Sequence, residues 1–284
     1  MGIIFMKKIA LINDISGFGR CSLTAALPVI SAMGIQGCPL PTAILTAQTG
    51  FADYISVDFT DHMSDFTGKW SAMGESFDGI YSGYLASHEQ MESVLEFLAA
   101  FHTEGVLYLA DPILGDNGEK IKIFTGELLD CMRELVHNAD VVTPNLTELC
   151  FLTGVDYGEL VSHADETDYE KRIEELGRRL MGDALRDQMV IVTGIGQGET
   201  IGNLAVWNRD SVYLKSPYNG KSYSGTGDLF ASVICGCLIK GLPVREAIFK
   251  AMLFLQEAIA DADQEGTMPE YGIPFEDHLH LLMG

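Results

Sequence analysis

The segment Ser224-Gly225-Thr226-Gly227-Asp228 has residue types and spacing that could transfer a phosphoryl group. Glycines directly before an apolar helix leave backbone N–H groups free at its positive end, where they can hold an anion. The carboxylate of Asp228 would lie within reach of that anion and could take the proton of an attacking hydroxyl. The structural alternative is helix capping, because an acidic residue in the first turn favours the helix dipole. Taken alone, the segment fits capping slightly better.

Two other segments place oxygen-bearing side chains directly after predicted strands. Asp111 and Asp116 follow one apolar run, and Thr143, Asn145 and Glu148 follow another. In open α/β sheets, ligands bind beyond the carboxyl ends of the strands. Carboxylates such as Asp116 and Glu148 are the ligands that Mg²⁺ takes when phosphates and water complete its octahedron. Each could instead be a turn or cap residue. Together with the glycine segment, they indicate metal-assisted phosphoryl transfer.

The composition limits the kinds of partner. The chain has 284 residues, with 18 basic and 40 acidic side chains and a net charge of −22. Such a charge repels nucleic acid and anionic membranes, so neither is expected as a partner. Phosphates would have to be bound by metal ions and backbone N–H groups. Neither a complete G-x-G-x-x-G nor a P-loop is present. No apolar run is long enough for a membrane span, and the six scattered cysteines predict a reduced, cytoplasmic protein.

Short apolar runs, the first of them a predicted strand at Lys8–Ile12 followed by a glycine-rich turn, alternate with amphipathic helical patterns along the chain. This alternation predicts an α/β fold with a mostly parallel sheet covered by helices on both faces. Residues 200–214 instead predict an antiparallel hairpin at the sheet edge. No linker interrupts residues 1–284, so one domain is expected, with residues 1–5 an upstream start or an added remnant. We expect residues 156–168 to form a surface loop, and the tail after Asp261 to pack on the sheet or on a second subunit.

Six motifs, taken in order, resemble the ribokinase-like superfamily, and within it the pyridoxal kinase family of vitamin kinases. The resemblance spans roughly Ile9 to Ala251 and is most specific in the last three motifs. The motifs are NDISGFG (13–19), QTGF (48–51), SGY (82–84), DPILGD (111–116), TPNLTE (143–148) and GTGDLF (225–230). The resemblance implies a single-domain, three-layer ribokinase-like sandwich, usually homodimeric. It also implies transfer of phosphate from ATP to the 5′-hydroxymethyl group of a vitamin B6 vitamer.

The resemblance also implies a role for particular residues of this chain. Asp228 would be the catalytic base, and the N–H groups of Gly225, Thr226 and Gly227 would hold the γ-phosphate. Asp111, Asn145 and Thr193 would contact ATP. Glu148 and Asp116 would act on Mg²⁺, partly through water. Thr143 and Asp111 would lie near a K⁺ site. The candidates for contact with the vitamer are Asn13, Asp14, Ser16, Thr49 and Tyr84.

Two departures from the family pattern leave the substrate open. Many members have His-Thr-Gly-Tyr where this chain has Gln48-Thr49-Gly50-Phe51, and the first-strand signature also differs. The main alternative is hydroxymethylpyrimidine (phosphate) kinase of thiamine synthesis. That branch usually carries a cysteine at the position of Asp228, which favours a B6 vitamer here. A non-catalytic vitamer-binding protein is the third possibility, and the intact Asp228 argues against it.

Overall fold

The computed structural model describes residues 6–182, 184–185 and 187–283, so the expectation for residues 1–5 falls outside the described residues. The fold is α/β, with a mostly parallel sheet and helices, as the alternation predicted. The strands are β1 (Lys8–Ser16), β2 (Gln36–Leu45), β3 (Ser56–Asp58), β4 (Gly79–Ser82), β5 (Leu107–Ala110), β6 (Gly115–Asp116), β7 (Glu119–Lys120), β8 (Val141–Val142), β9 (Met189–Gln197), β10 (Thr200–Trp207) and β11 (Asp210–Pro217).

The helices follow the amphipathic stretches of the sequence. They are α1 (Ser22–Ala32), α2 (Thr60–Ala72), α3 (His88–Phe101), α4 (Gly126–Asn138), α5 (Leu146–Thr153), α6 (Tyr157–Val161), α7 (Tyr169–Gly182), α8 (Thr226–Ile239) and α9 (Val244–Glu265), with 3-10 helices at Pro269–Tyr271 and Glu276–Leu282. No helix in the described part of the chain combines the length and the hydrophobicity that a membrane span requires.

The chain divides into two compact units by its internal contacts. Unit 1 comprises Met1–Leu85, Ser93–Leu107 and Ser222–Gly284, and unit 2 comprises Ala86–Glu92 and Tyr108–Lys221. The expectation of one domain stays a prediction.

In unit 1 the strand order is β4-β1-β2-β3. β1 runs parallel to β2 and β4, while β3 is antiparallel to β2. The β1–β2 register shifts between Asn13 and Ile15. Such bulges often lie beside active sites, because they re-aim side chains. Helix α8 contacts both α1 and α9 and is buried along almost its whole length.

In unit 2 the strand order is β11-β10-β9-β8-β5. β5, β8 and β9 are parallel, whereas β9, β10 and β11 form an antiparallel meander. The predicted edge hairpin is therefore confirmed as β10 and β11. A second small sheet, β6–β7, pairs Gly115 with Lys120.

Two expectations about local structure are corrected. Residues 156–168 are not all loop, because α6 occupies Tyr157–Val161 and Asp156 caps it by accepting from the Glu159 N–H at 2.8 Å. The strand predicted at Lys8–Ile12 continues to Ser16. Asn13, Asp14 and Ser16 therefore lie on the strand itself rather than in a turn after it.

Candidate active site

The glycine segment of unit 1 starts helix α8 without a side-chain cap. Gly225 is the N-cap residue, with φ of 81°, and Asp228 lies in the first turn. The first N–H groups of an α-helix have no partner within the helix. The hydroxyl of Thr226 donates to the Tyr223 carbonyl at 3.0 Å, so this side chain is turned back into the loop. The segment thus offers backbone N–H groups at the positive end of a buried helix.

The two glycines of this segment differ in what surrounds them. A Cβ on Gly225 would lie 1.9 Å from the Arg20 carbonyl oxygen, and its φ of +81° is a conformation that L side chains rarely adopt. A Cβ on Gly227 would meet no atom within 4 Å. Glycine is therefore required by the fold at 225, whereas at 227 the fold would accept a larger residue.

Asp228 accepts hydrogen bonds from two side chains instead of capping the helix. Its Oδ1 accepts from the Asn13 amide Nδ2 at 3.1 Å and from the Tyr81 hydroxyl at 3.4 Å. The backbone N–H of Ser22 also lowers the pKa of this carboxylate. Burial raises the pKa of Asp228 from 3.8 to about 6, and the charge of Asp14 adds to the rise, while Ser22, Asn13 and Tyr81 oppose it. A carboxylate with such a pKa is deprotonated at neutral pH and well suited to accept a proton.

Asn13 can present only its N–H₂ group to Asp228. Its Oδ1 accepts from the backbone N–H groups of Asp14, at 3.0 Å, and Tyr84, at 2.9 Å. These two contacts fix the amide orientation. A Cβ on Gly83 would lie 2.2 Å from Asn13 Nδ2, so the amide also needs a glycine beside it. Asn13 was expected to contact the vitamer, and the structure places its amide group against the carboxylate of Asp228.

Asp14 is a second buried carboxylate in unit 1. Its Oδ1 accepts from the Ser22 hydroxyl at 2.6 Å and its Oδ2 from the Ser16 hydroxyl at 2.9 Å. Burial raises the pKa of Asp14, while the two hydroxyl donors lower it. Ser22 has a φ of 51°, in the left-handed region; its hydroxyl donates to Asp14, and its backbone N–H lowers the pKa of Asp228. Strained backbone of this kind is concentrated at functional sites.

The other two residues expected to contact the vitamer, Tyr84 and Thr49, differ in their burial. Burial, followed by the charges of Asp14 and Tyr54, raises the pKa of Tyr84 to about 12, so its hydroxyl lies in the field of Asp14. Thr49 is exposed. Burial, followed by the charges of Asp228 and Asp14, raises the pKa of Cys21 to about 12, so its thiol stays neutral beside them.

Unit 2 contains the residues that were expected to bind ATP and metal ions. The hydroxyl of Thr143 donates to Asp111 Oδ1 at 2.8 Å. Asn145 and Glu148 form a capping box at the start of α5, in which the Glu148 N–H donates to Asn145 Oδ1 at 2.9 Å and the Asn145 N–H donates to Glu148 Oε2 at 2.8 Å. The Leu114 N–H donates to Glu148 Oε1 at 3.3 Å. Glu148 therefore caps helix α5, as the structural alternative predicted. This contact does not prevent the carboxylate from also binding a metal ion.

The donor set around Glu148 fits a divalent cation. Burial and then the charge of Asp111 raise the pKa of Glu148 well above its ordinary value, although backbone N–H groups of Asn145 and Leu114 oppose this. A cation near both carboxylates would relieve the repulsion between them and favour their charged forms. Within the described residues, no group of three or more His, Cys, Asp or Glu side chains could hold a metal ion. Two protein carboxylates suit Mg²⁺ that takes its other ligands from phosphates and water.

Asp116 and Thr193 lie near this set. Asp116 is exposed at the β6–β7 turn, and Asn117 donates to both of its oxygens, at 2.9 and 3.0 Å. Its charge contributes to the raised pKa of Glu148. Thr193 is bridged to Asn145 across neighbouring strands, and its N–H donates to the Pro144 carbonyl at 2.9 Å.

Three residues in unit 1 contact the candidate site although the sequence did not predict them there. Tyr81 lies in an apolar strand, where its hydroxyl gave no signal. Ser22 begins α1 and looks like an ordinary helix-start residue. Gln48 was noted only as a departure from the family pattern, yet it is 8% exposed and makes side-chain hydrogen bonds to Ser224 and Glu270. No spacing rule connects these positions in the sequence.

The fold and these residue sets define a ribokinase-like phosphotransferase. The chain matches the phosphomethylpyrimidine kinase family over residues 19–271 and belongs to that family.

Proteins similar to this chain are named as kinases of two different substrates. A crystal structure of a candidate phosphomethylpyrimidine kinase from Bacteroides thetaiotaomicron, solved with pyridoxal, is 37% identical, has a TM-score of 0.90, and the match covers 98% of this chain and 96% of that one. The pyridoxine/pyridoxal/pyridoxamine kinase of Bordetella pertussis is 25% identical, covering 88% of this chain and 87% of the relative. The hydroxymethylpyrimidine/phosphomethylpyrimidine kinase of Staphylococcus aureus is also 25% identical, covering 89% and 88%. Overall identity therefore does not choose between the two substrates.

Proposed function

We propose that this protein uses ATP to phosphorylate the 5′-hydroxymethyl group of a vitamin B6 vitamer. The observation that carries the proposal is the environment of Asp228, a buried carboxylate with a pKa of about 6 in the first turn of α8. In the proposed step, Asp228 takes the proton of the hydroxymethyl group. The alcohol oxygen bonds to the γ-phosphorus of ATP, the bond from that phosphorus to the β–γ bridging oxygen breaks, and ADP leaves.

The backbone at the start of α8 would stabilise the transferred group. The N–H groups of Gly225, Thr226 and Gly227 would hold the equatorial oxygens, on which charge is spread in the transition state. This arrangement suits a protein with a net charge of −22, because it binds the phosphoryl group without a cluster of lysines.

Asp14 and Tyr84 would bind the heteroaromatic ring of the acceptor. Asp14 is buried and Tyr84 is half-buried in unit 1, and the charge of Asp14 acts on the Tyr84 hydroxyl. The relative from Bacteroides thetaiotaomicron that was solved with pyridoxal supports a B6 ring as the acceptor. Ser16 contributes by orienting Asp14, and Thr49, which is exposed, would contact the vitamer from the loop after β2.

Residues of unit 2 would bind the nucleotide. Asp111, Asn145 and Thr193 would contact ATP, and Glu148 and Asp116 would hold Mg²⁺, partly through water. When bound, Mg²⁺ would neutralise charge on the β- and γ-phosphates. The Thr143–Asp111 pair would lie near a K⁺ site. We also propose a homodimer, which light scattering would test directly.

Hydroxymethylpyrimidine (phosphate) kinase activity is the second candidate. The family name and the relative from Staphylococcus aureus favour it. Its acceptor also carries a hydroxymethyl group on a small heteroaromatic ring, so the same base would serve. Asp228, where that branch usually has a cysteine, favours the B6 vitamer.

A kinetic comparison would separate the candidates. ADP formation is measured with pyridoxal, pyridoxine, pyridoxamine and hydroxymethylpyrimidine, each with ATP and Mg²⁺. We expect the largest kcat/KM for a B6 vitamer. A larger kcat/KM for hydroxymethylpyrimidine would move the assignment to the second candidate. Tight pyridoxal binding without turnover would indicate a non-catalytic binding protein.

A further inference from the structure

Three successive backbone carbonyls of the C-terminal segment each accept a hydrogen bond from a different loop of unit 1. The Pro269 carbonyl accepts from the Ser224 N–H at 3.0 Å. The Glu270 carbonyl accepts from Gln48 Nε2 at 2.9 Å. The Tyr271 carbonyl accepts from the Arg20 N–H at 3.2 Å. We call residues 269–271 the carbonyl clasp.

Each loop bound by the clasp adjoins the start of α8. Ser224 directly precedes Gly225, the N-cap residue of the proposed anion hole. The carbonyl of Arg20 is the atom that a Cβ on Gly225 would approach to 1.9 Å, so the Arg20 backbone lies directly against this turn. The clasp thus holds two segments of backbone that touch at Gly225.

Gln48 joins the clasp to the same turn through its side chain. Its Nε2 donates to the Ser224 hydroxyl at 3.2 Å as well as to the Glu270 carbonyl. Its Oε1 accepts from the Gly50 N–H at 2.7 Å, which fixes the amide so that both of its N–H bonds point toward Ser224 and Glu270. A Cβ on Gly19 would lie 2.5 Å from Gln48 Cγ, so the side chain is packed tightly in place.

We propose that Gln48 is a positioning residue that, through the carbonyl clasp, holds the Ser224–Gly225 turn in the geometry the anion hole needs. The inference rests on the proposed phosphoryl transfer. N–H donors stabilise a transition state only when they are held where charge develops, so a small displacement lowers kcat. Ground-state binding of ATP and of the acceptor depends on other groups, so their KM values should change little.

The test compares Gln48→Glu with Gln48→His and the parent. Glutamate has the same length and can still accept from the Gly50 N–H, but it cannot donate to the Glu270 carbonyl. Histidine retains a ring N–H donor. We expect Gln48→Glu to lower kcat by about tenfold or more while both KM values stay within about threefold. Gln48→His should keep most of the parent's kcat.

The control is Glu276→Gln, which lies in the same C-terminal segment. It removes the exposed Arg20–Glu276 ion pair and leaves the three carbonyl contacts in place. We expect its kcat to stay within about twofold of the parent, because exposed ion pairs contribute little. If Gln48→Glu does not fold, Gln48→Met, which is neutral and has no donor, replaces it.

The outcomes separate this inference from the proposed function. The positioning role would be overturned by an unchanged kcat in folded Gln48→Glu or by an effect confined to KM. It would also be overturned if the kcat of Gln48→His were as low as that of Gln48→Glu. In those cases the parent would still be a kinase. Absence of kinase activity in the parent would instead overturn the proposed function.

Discussion

The side-chain amide of Asn13 donates to the carboxylate of Asp228 at 3.1 Å, across 215 positions of sequence. Two backbone N–H groups on its oxygen fix the direction of that amide. The donor therefore stabilises the charged form of the proposed base, while burial opposes it. The balance leaves the pKa of Asp228 at about 6, low enough for the base to be charged at pH 7.

The Asn13→Asp variant should change the pH dependence of the reaction. In the parent, kcat/KM should rise with pH through about 6, because Asp228 must lose its proton to act as the base. Aspartate at position 13 replaces the donor with a like charge, which raises the pKa of Asp228. We expect the acid limb of kcat/KM to move up by about one pH unit or more. Asn138→Asp, the same exchange at the end of α4, is the control and should leave the limb unchanged. An unmoved limb in Asn13→Asp would contradict the assignment of Asp228.

Asp228→Asn should remove activity and stabilise the fold at high pH. The folded-state pKa of Asp228 is raised, so its charged form costs stability above about pH 6, and this cost disappears as the pH falls below 3.8. At 1.36 kcal/mol per pH unit, the rise from 3.8 to about 6 corresponds to at most about 3 kcal/mol. Asparagine, being neutral, binds the Asn13 and Tyr81 donors less strongly than a carboxylate does, so we expect a net gain of about 1–2 kcal/mol.

Urea unfolding at pH 8 and pH 5 measures this difference. The gain in unfolding free energy of Asp228→Asn should be clear at pH 8 and smaller at pH 5. Asp116→Asn, at an exposed carboxylate, is the control and should show no gain at either pH. Equal gains for Asp228→Asn at both pH values would mean that Asp228 titrates like an ordinary carboxylate.

Alanine at the two glycines of the anion hole should have opposite effects on stability. At Gly225 the added Cβ meets the Arg20 carbonyl at 1.9 Å, so we expect loss of several degrees in Tm or failure to fold. At Gly227 the added Cβ meets no protein atom within 4 Å, and alanine is the better helix former. Gly227→Ala should therefore keep or raise Tm.

The activity of Gly227→Ala tests whether the N–H groups at the start of α8 act in catalysis. If the N–H groups here hold the transferred phosphoryl group, a methyl group beside them should lower kcat of Gly227→Ala by about tenfold or more. Full activity with an unchanged Tm would mean that the start of α8 serves only as a helix end.

Glu148→Gln should weaken the binding of Mg²⁺ at the proposed nucleotide site. Replacing a buried carboxylate next to Asp111 removes one charged oxygen ligand and also the repulsion between the two. We expect the Mg²⁺ concentration for half-maximal rate to rise by about tenfold, with the KM of the acceptor unchanged. Asp116→Asn, at an exposed position, should produce a smaller rise. Equal Mg²⁺ dependence of Glu148→Gln and the parent would remove Glu148 from the metal site.

Local patterns were enough to predict the fold class and the edge hairpin. The alternation of apolar runs and amphipathic helices is a property of neighbouring residues, and it survives in the finished sheet. β2 was not predicted, because Pro39 and Pro41 interrupt its pattern and proline usually marks a turn or an edge. The helix α6 was missed because five residues carry too little periodicity to distinguish them from a loop.

The site was predictable where a motif keeps its members together, as in Gly225 to Asp228 and Asn145 to Glu148. The capping box of α5 is visible in the sequence itself. Contacts between distant residues were not predictable. The direction of the Asn13 amide depends on the backbone of Tyr84, and the role of Gln48 depends on the carbonyl of Glu270. Such contacts depend on the tertiary fold.

Product analysis by ³¹P NMR tests the central proposal most directly. The parent and Asp228→Asn are incubated with ATP, Mg²⁺ and pyridoxal at pH 8. We expect the parent to form one pyridoxal 5′-phosphate for each ADP, and Asp228→Asn to be slower by about a hundredfold or more. Hydrolysis of ATP without a phosphate ester, or equal rates in the two proteins, would contradict the role of Asp228 as the base that activates the hydroxymethyl group.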